Sequence, residues 1–172
     1  MGEVRVRGRD AAAFLESVMT NAMGSISVGR ARYSFLCAPD GGVVDDVIVY
    51  RLGPEDFFIC LNAGNTAKDV AWLREHVFGD CVVDDETARW AQLAVQGPRA
   101  VEIVQSLADA DVAAFPRFAF ARGHCAGADV IFSRTGYTGE DGFELYAPAA
   151  QATGLAEALL KQGAPLGLIP VG

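Results

Sequence analysis

Apolar residues recur with two different periods in the first half of the sequence, and the period separates strands from helices. Alternating or continuous apolar segments predict β-strands, whereas apolar residues along one face after Asp10 and after Asn65 predict helices. Gly8 turns the chain, and Asp10 is expected to cap the first helix. The predicted order is strand 4–7, helix 11–22, strands 31–37, 43–52 and 57–61, helix 66–76 and strand 81–83.

The second half of the chain repeats this order of segments. The stretch QLAVQGPRAVEIVQSL aligns with EVRVRGRDAAAFLESV at one constant offset, and later segments align in the same order. Chance similarity of short apolar segments is the alternative, but the constant offset and order favour an internal duplication. The matched pairs are Val6 with Val95, Gly8 with Gly97, Phe14 with Ile103, Leu15 with Val104 and Val18 with Leu107.

The duplication predicts an α+β fold made of two βαβββαβ units, each with an antiparallel sheet flanked by helices. The repeated segments span roughly residues 3–86 and 89–172, which places the two domains at 1–87 and 88–172. In the second copy, the helix that corresponds to 66–76 is expected at 151–162.

One loop differs in length between the two copies. Arg51 aligns with Arg134, and EDFF at 55–58 aligns with EDGF at 140–143, so the second copy has two additional residues in between. The first copy turns with LGP, whereas the second has the glycine-rich TGYTGEDG, whose glycines suit tight or left-handed backbone. Because the fold does not require this loop, it is a candidate functional segment.

Charge and composition narrow the classes of ligand. The chain has 172 residues, of which 51% are hydrophobic and 21% charged, a globular composition. With a formal net charge of −8, it is a poor candidate for binding nucleic acid or an anionic membrane by charge. The four cysteines form no C-x-x-C pair and the two histidines share no metal-ligand spacing, so no metal site is expected.

Glu144 lies near the start of the strand that follows the glycine-rich loop. Alternation turns Glu144 and Tyr146 to one face of the strand, and Phe143 and Leu145 to the other. A carboxylate in this position can accept two parallel N–H bonds from the edge of a heterocycle. A solvated hairpin with a surface glutamate explains the same residues equally well.

Two adjacent aspartates lie near the start of the apolar strand GGVVDDVIVY. Alternation places Asp46 and Tyr50 on one face and Asp45 on the other, so one acid faces a packed side or a cleft. We expect Asp45 to be a solvated turn acid, and Asp46 to hydrogen-bond an amine or orient a nucleophile. Tyr33, on the preceding strand, either stacks on a flat ligand or packs, and residue type alone favours packing.

Four segments of the chain match motifs of one known family. They are RTGYTGEDGFEL, GGVVDDVIVY, NAGNTAKDVAWL and LAVQGPRA, in the family's order, and the first is the most specific. Together they resemble the aminomethyltransferase (T-protein) family of the glycine cleavage system. The resemblance implies a folate-binding fold that transfers an aminomethyl unit from the lipoyl arm of H-protein to tetrahydrofolate, forming methylenetetrahydrofolate and ammonia. Tetrahydrofolate is the implied cofactor, and lipoylated H-protein the implied partner.

The resemblance also implies roles for individual residues. Asp46 is expected to be the catalytic carboxylate, which hydrogen-bonds the folate amines and orients the attacking nitrogen. Glu144 is expected to grip the pterin edge, while Tyr137 and Tyr33 line the pocket. Tyr50, on the same strand face as Asp46, is expected to be a further folate contact.

Against the family pattern, the chain resembles a fragment. MGEVRVRG matches an internal stretch of the family, and GLIPVG precedes an arginine-containing segment and a C-terminal domain there. We therefore expect the second unit to be incomplete at its C-terminal side, a cytoplasmic location, and open surfaces that could drive self-association. Three functions stay open: an aminomethyltransferase or its folate-binding core, a non-catalytic folate-binding or regulatory module, and a structural or interaction domain without a ligand.

Overall fold

The computed structural model describes residues 1–171, and the chain divides into two compact units. The first unit is Met1–Ala88, and the second begins at Arg89. In each unit, helices cover one face of an antiparallel sheet, which confirms the predicted α+β class. None of the helices in the described part of the chain has the length and apolar character needed to cross a bilayer.

The first unit has the predicted βαβββαβ order. Its elements are β1 (Gly2–Arg7), α1 (Ala11–Val18), β2 (Ala31–Cys37), β3 (Val43–Gly53), β4 (Asp56–Leu61), α2 (Thr66–His76) and β5 (Val82–Asp85). The five strands form one antiparallel sheet in the order β2-β3-β4-β1-β5. Helix α2 begins and ends at the predicted residues, and it buries Val70 and Leu73 on its apolar face.

The register between β2 and β3 separates the two neighbouring aspartates. Leu36 lies opposite Asp45, and Phe35 lies opposite Asp46. Leu36 belongs to the apolar core on the helix-covered face, so Asp45 points toward the helices and Asp46 toward the other face. Alternation along one strand therefore gives two adjacent acids different surroundings.

The first helix is shorter than predicted. We expected a helix over residues 11–22 capped by Asp10, but α1 ends at Val18, and the Asp10 side chain makes no capping bond. Met19 is already extended and makes a bridge to β2, which competes with another helical turn. The Asp10 carboxylate instead accepts a hydrogen bond from the backbone N–H of Asp80 over 2.7 Å, so it ties α1 to the segment before β5.

The second unit repeats this order up to its second helix. Its elements are β6 (Trp90–Gln96), α3 (Ala100–Leu107), β7 (Phe120–Cys125), β8 (Ala128–Ser133), β9 (Gly142–Pro148) and α4 (Ala152–Gly163). The four strands form an antiparallel sheet in the order β6-β9-β8-β7. The predicted closing strand is absent from the described residues after α4, where the chain turns at the left-handed Gly167 (φ +82°).

Arg51 ties the end of β3 to the connection between α1 and β2. Its guanidinium donates to the backbone carbonyls of Gly24 and Ile26 over 2.9 and 2.8 Å, and to that of Pro54 over 2.9 Å. The same group lies 5.4 Å from the centre of the Phe57 ring. The planar guanidinium group of Arg51 therefore holds both the connection between α1 and β2 and the hairpin between β3 and β4.

Arg134, the residue that aligns with Arg51, repeats this arrangement in the second unit. It donates to the backbone carbonyls of Ala113 and Phe115 and lies 5.1 Å from the centre of the Phe143 ring. Its remaining donors bind a carboxylate, Asp141, over 2.8 and 2.5 Å. Both units therefore hold their hairpin with an arginine that lies over a phenylalanine ring. In the second unit, the same arginine also binds Asp141 and closes the glycine-rich loop.

Arg51→Ala is expected to lower the free energy of unfolding by about 2 kcal/mol, because several carbonyls lose a charged donor. Arg51→Lys keeps the charge without the fork and should lose about 1 kcal/mol. Urea unfolding measures both. Arg9→Lys is the matched control, since Arg9 is exposed and pairs with Asp80 at the surface. A loss in Arg51→Ala no larger than in the control would contradict this role.

Candidate functional site

Asp46 lies on the sheet face opposite the helices, beside two aromatic rings from β2. The Tyr33 hydroxyl donates to Asp46 Oδ2 over 3.0 Å. Tyr33 is 42% exposed and makes an edge-to-face contact with Phe35, with 5.3 Å between ring centroids. The structure therefore brings Asp46 and Tyr33, both predicted site residues, into direct contact. The exposed ring offers a surface on which a flat ligand can lie.

Asn62, which follows β4, holds the other side of the Asp46 carboxylate. Its Nδ2 group donates to Asp46 Oδ1 over 3.0 Å and lies 3.1 Å from the Asp46 carbonyl oxygen and from Asp45 Oδ1. Each Asp46 carboxylate oxygen thus accepts one hydrogen bond from the described residues. A carboxylate has about four acceptor positions, so Asp46 is oriented and still able to accept N–H groups from a ligand.

Asp45 is buried, which corrects the prediction of a solvated turn acid. It retains only 6% of its exposure. Asn65 Nδ2 donates to Asp45 Oδ1 over 2.8 Å, and the Asp69 carboxyl group on α2 lies within hydrogen-bonding reach of Asp45. The prediction failed because the start of a strand was taken to be exposed, whereas α2 and the turn before it cover this one.

The two buried acids have opposite pKa shifts. Burial raises the pKa of Asp69 from its usual 3.8 to about 6, and the neighbouring Asp45 adds to the rise while Lys68 opposes it. Burial also pushes the pKa of Asp45 upward, but hydrogen bonds from Asp69, Asn62 and Asn65 outweigh burial and leave that pKa below its usual value. Asp69 therefore keeps its proton to a higher pH than Asp45 does.

Tyr50 follows Asp46 on the same face of β3 but is fully buried. It makes an edge-to-face contact with Phe58 of β4, with ring centroids 5.8 Å apart. A ring without exposed surface supports the position of its neighbours, as a packed aromatic does. Its predicted contact with folate stays a prediction.

Glu144 is half-buried on β9 and is held by side chains from its own unit. Gln92 of β6 donates to Glu144 Oε1 over 2.8 Å, and the Thr135 hydroxyl donates to Oε2 over 2.5 Å. Gln92 also lies 3.3 Å from the Tyr146 hydroxyl, and Thr135 lies 2.7 Å from the Ser133 hydroxyl. This polar network fixes the direction of the Glu144 carboxylate.

The glycine-rich loop of the second unit presents Tyr137 fully to solvent. The Arg134–Asp141 pair closes the loop at its base. A side chain at Gly136 would overlap that of Gln96, and Gly139 is left-handed at φ +77°. The loop is therefore anchored at its ends and open at Tyr137, whose predicted role in lining a pocket stays a prediction.

Several residues of these networks were not predicted from the sequence. NAGNTAKD predicts a turn and a helix and is part of the family resemblance, but no site residue was predicted in it, yet it supplies Asn62, Asn65 and Asp69. A cluster of amide side chains directly after a strand is the signal that could have identified them. Within residues 1–171, no three His, Cys, Asp or Glu side chains are grouped so that they could hold a metal ion.

Comparisons with curated proteins find aminomethyltransferases along the whole chain. The aminomethyltransferase of Geobacillus kaustophilus is 49% identical over 173 residues, covering 100% of this chain and 48% of that protein. That of Bacillus subtilis is 44% identical, with 100% and 48% coverage. The chain therefore spans about half the length of these curated relatives.

Solved structures agree with this result. The glycine cleavage system aminomethyltransferase T of Bartonella henselae has a TM-score of 0.84 and 32% identity, covering 92% of this chain and 43% of that one. A heterotetrameric sarcosine oxidase from Corynebacterium, at 17% identity and a TM-score of 0.69, shares the fold over 99% of this chain and 83% of its own.

The family assignment follows from the extent of the sequence match. The model of the family described as the GCVT N-terminal domain matches residues 1–172, which is the entire sequence. The motifs that suggested the T-protein resemblance lie within this match, so the resemblance is confirmed. The chain belongs to the GCVT N-terminal domain family, whose relatives here are aminomethyltransferases.

Proposed function

We propose that this chain forms the folate-binding part of an aminomethyltransferase of the glycine cleavage system. The observation that carries the proposal is the Asp46 carboxylate, which Tyr33 and Asn62 orient on the sheet face away from the helices. Membership of a family with aminomethyltransferase relatives supports the same activity. In the proposed reaction, tetrahydrofolate takes the methylene carbon of the aminomethyl group on the lipoyl arm of H-protein, ammonia leaves, and dihydrolipoyl H-protein remains.

The residues present fit the chemistry of a reduced pterin. A pterin is flat and carries N–H donors along its edge, so it needs acceptors and ring faces more than cationic groups. Asp46 and Glu144 are oriented acceptors, and the exposed rings of Tyr33 and Tyr137 provide apolar faces. An acidic chain can therefore bind this ligand without a large basic surface.

Asp46 would act chiefly by positioning. When bound, tetrahydrofolate supplies the nitrogen nucleophile that receives the carbon unit. Asp46 would accept hydrogen bonds from the folate amines and orient that nitrogen, and its carboxylate can hold a proton at the reacting nitrogen. The Tyr33 and Asn62 bonds keep the carboxylate from rotating away, so little reorganisation is needed when the ligand binds.

Glu144 would bind the ligand rather than take part in the reaction. The donors from Gln92 and Thr135 set the direction of its carboxylate, which we assign to the pterin edge. Tyr137, Tyr33 and Tyr50 are proposed as folate contacts, and lipoylated H-protein as the partner that brings the aminomethyl group. A cytoplasmic location also stays a prediction.

Replacing either carboxylate by its amide is expected to weaken tetrahydrofolate binding about tenfold, because a charge-assisted hydrogen bond becomes a neutral one. Isothermal titration of Asp46→Asn and Glu144→Gln measures the dissociation constants. Glu55→Gln and Glu157→Gln are matched controls, since both are exposed acids, one in each unit, outside the glycine-rich loop and the proposed folate contacts. Unchanged affinity in either site variant would remove that residue from the folate site.

Ammonia release separates the enzyme from the non-catalytic binding module. If the proposal is correct, aminomethyl-loaded H-protein and tetrahydrofolate together yield ammonia with the parent chain, and Asp46→Asn loses most of that rate while its circular dichroism spectrum is unchanged. Folate binding without ammonia release would favour the binding module. Absence of folate binding would favour a domain without a ligand.

A further inference from the structure

Three buried oxygen atoms beneath Asp46 lack a hydrogen-bond donor among the described residues. They are Asp45 Oδ2 and both carboxyl oxygens of Asp69. Asp69 has no exposed surface, and Asp45 is almost as buried. Two ionised carboxylates within hydrogen-bonding reach of each other, with no donor for the oxygens between them, would be strongly unfavourable. The arrangement calls for a proton on one of them.

Lys68 does not compensate for the buried negative charge of the Asp45–Asp69 pair. Its ammonium lies 2.8 Å from Asp69 Oδ1, but the contact lacks the alignment of a hydrogen bond, and the group donates to the Val44 carbonyl over 2.5 Å. The Lys68 side chain is 51% exposed, so solvent screens its charge. The ion pair therefore offsets only part of the negative charge and supplies no donor to Asp45.

We propose that Asp45 and Asp69 share one proton, and that this pair positions Asn62 and, through it, the Asp46 carboxylate. The inference deepens the folate site and rests on the role proposed for Asp46. A protonated Asp69 donates to the Asp45 oxygen that lacks a donor. The other oxygen of Asp45 then stays in place to accept the amides of Asn62 and Asn65.

Asn62 is the link between the buried pair and the open face. Its single amide nitrogen contacts Asp45 Oδ1 on one side of the sheet and Asp46 Oδ1 on the other. If the shared proton is lost, Asp45 and Asp69 repel one another, and the acceptor that holds Asn62 moves. The orientation of the Asp46 carboxylate then depends on the protonation of Asp69, which is fully buried and has no surface for a ligand.

Charged groups face the Asp45–Asp69 pair from β3 and from α2. Asp46 faces it from β3 through Asn62, and Lys68 faces it from α2. With the proton shared, the three carboxylates carry two negative charges rather than three. The raised pKa of Asp69, about 6, agrees with a proton that is kept into the weakly acidic range.

Carbon-13 NMR of the ligand-free protein tests the pair directly. We expect the side-chain carboxyl carbons of Asp45 and Asp69 to share an inflection near pH 6, and the Asp46 carbon to show the same inflection as a neighbour. Asp69→Asn, whose amide can replace the shared proton, should remove that inflection from Asp45 and Asp46. Glu75→Gln, an exposed acid on the same helix, should leave it unchanged.

Two results of this titration would overturn the inference. If Asp69 titrates alone and Asp45 shows no inflection with it, no proton is shared. If the pair titrates together but Asp46 does not respond, the pair stabilises the fold without positioning the site. Because no folate is present, neither result depends on whether the proposed function is correct.

Stability gives a second, independent test. The folded protein holds the Asp69 proton more tightly than the unfolded chain does. The proton therefore adds to the free energy of unfolding in full below pH 3.8, and this stabilisation is lost as pH rises through about 6. A rise of about two pKa units corresponds to a factor of about a hundred in the unfolding equilibrium constant. The ratio of that constant in the parent to that in Asp69→Asn should therefore increase between tenfold and a hundredfold from pH 4.5 to 7.

The comparison with Asp69→Asn removes other titrating groups from the result. Glu3 also has a raised pKa, about 7, mainly through burial, but it contributes equally to the parent and the variant. Glu75→Gln, the matched loss of one acid on α2, should keep the pH dependence of the parent. If the ratio of the two unfolding constants, parent to Asp69→Asn, stays the same from pH 4.5 to 7, the proposal of a shared proton is wrong.

Discussion

A β-strand turns neighbouring side chains to opposite faces of its sheet, and this alternation decides what Asp45 and Asp46 can do. Asp45 is directed under α2, where it loses water, and Asp46 is directed to the face away from the helices. Asn62 contacts both acids at the end of the sheet. One dipeptide therefore supplies a buried acid under α2 and a carboxylate on the open face of the sheet, and a shift of register by one residue would exchange them.

The two units share an order of elements, but their candidate carboxylates lie in different surroundings. Both units use an arginine over a phenylalanine ring to hold the hairpin, as Arg51 and Arg134 show. In the second unit, that arginine also binds Asp141 and closes a longer, glycine-rich loop. The shared parts maintain the fold, and the added residues are those that the fold does not require. Glu144 follows this insertion directly.

Local pattern predicted most of the fold. Periodicity placed α2 and the strands of the first unit within a residue or two, and alternation put Asp46 and Tyr50 on one face. Long-range contacts decided the rest. Asp45 was taken for a solvated acid because its burial depends on a helix that follows later in the chain. Asp69 has the sequence position of an ordinary acid in the first turn of a helix, and only packing buries it and raises its pKa.

The proposed function requires contact between the Asp46 carboxylate and the folate ligand. A crystal structure of the chain with bound tetrahydrofolate would decide this most directly. We expect a pterin nitrogen within hydrogen-bonding distance of an Asp46 carboxylate oxygen, with the Tyr33 and Asn62 bonds retained. A pterin bound elsewhere, with Asp46 still facing water, would contradict it.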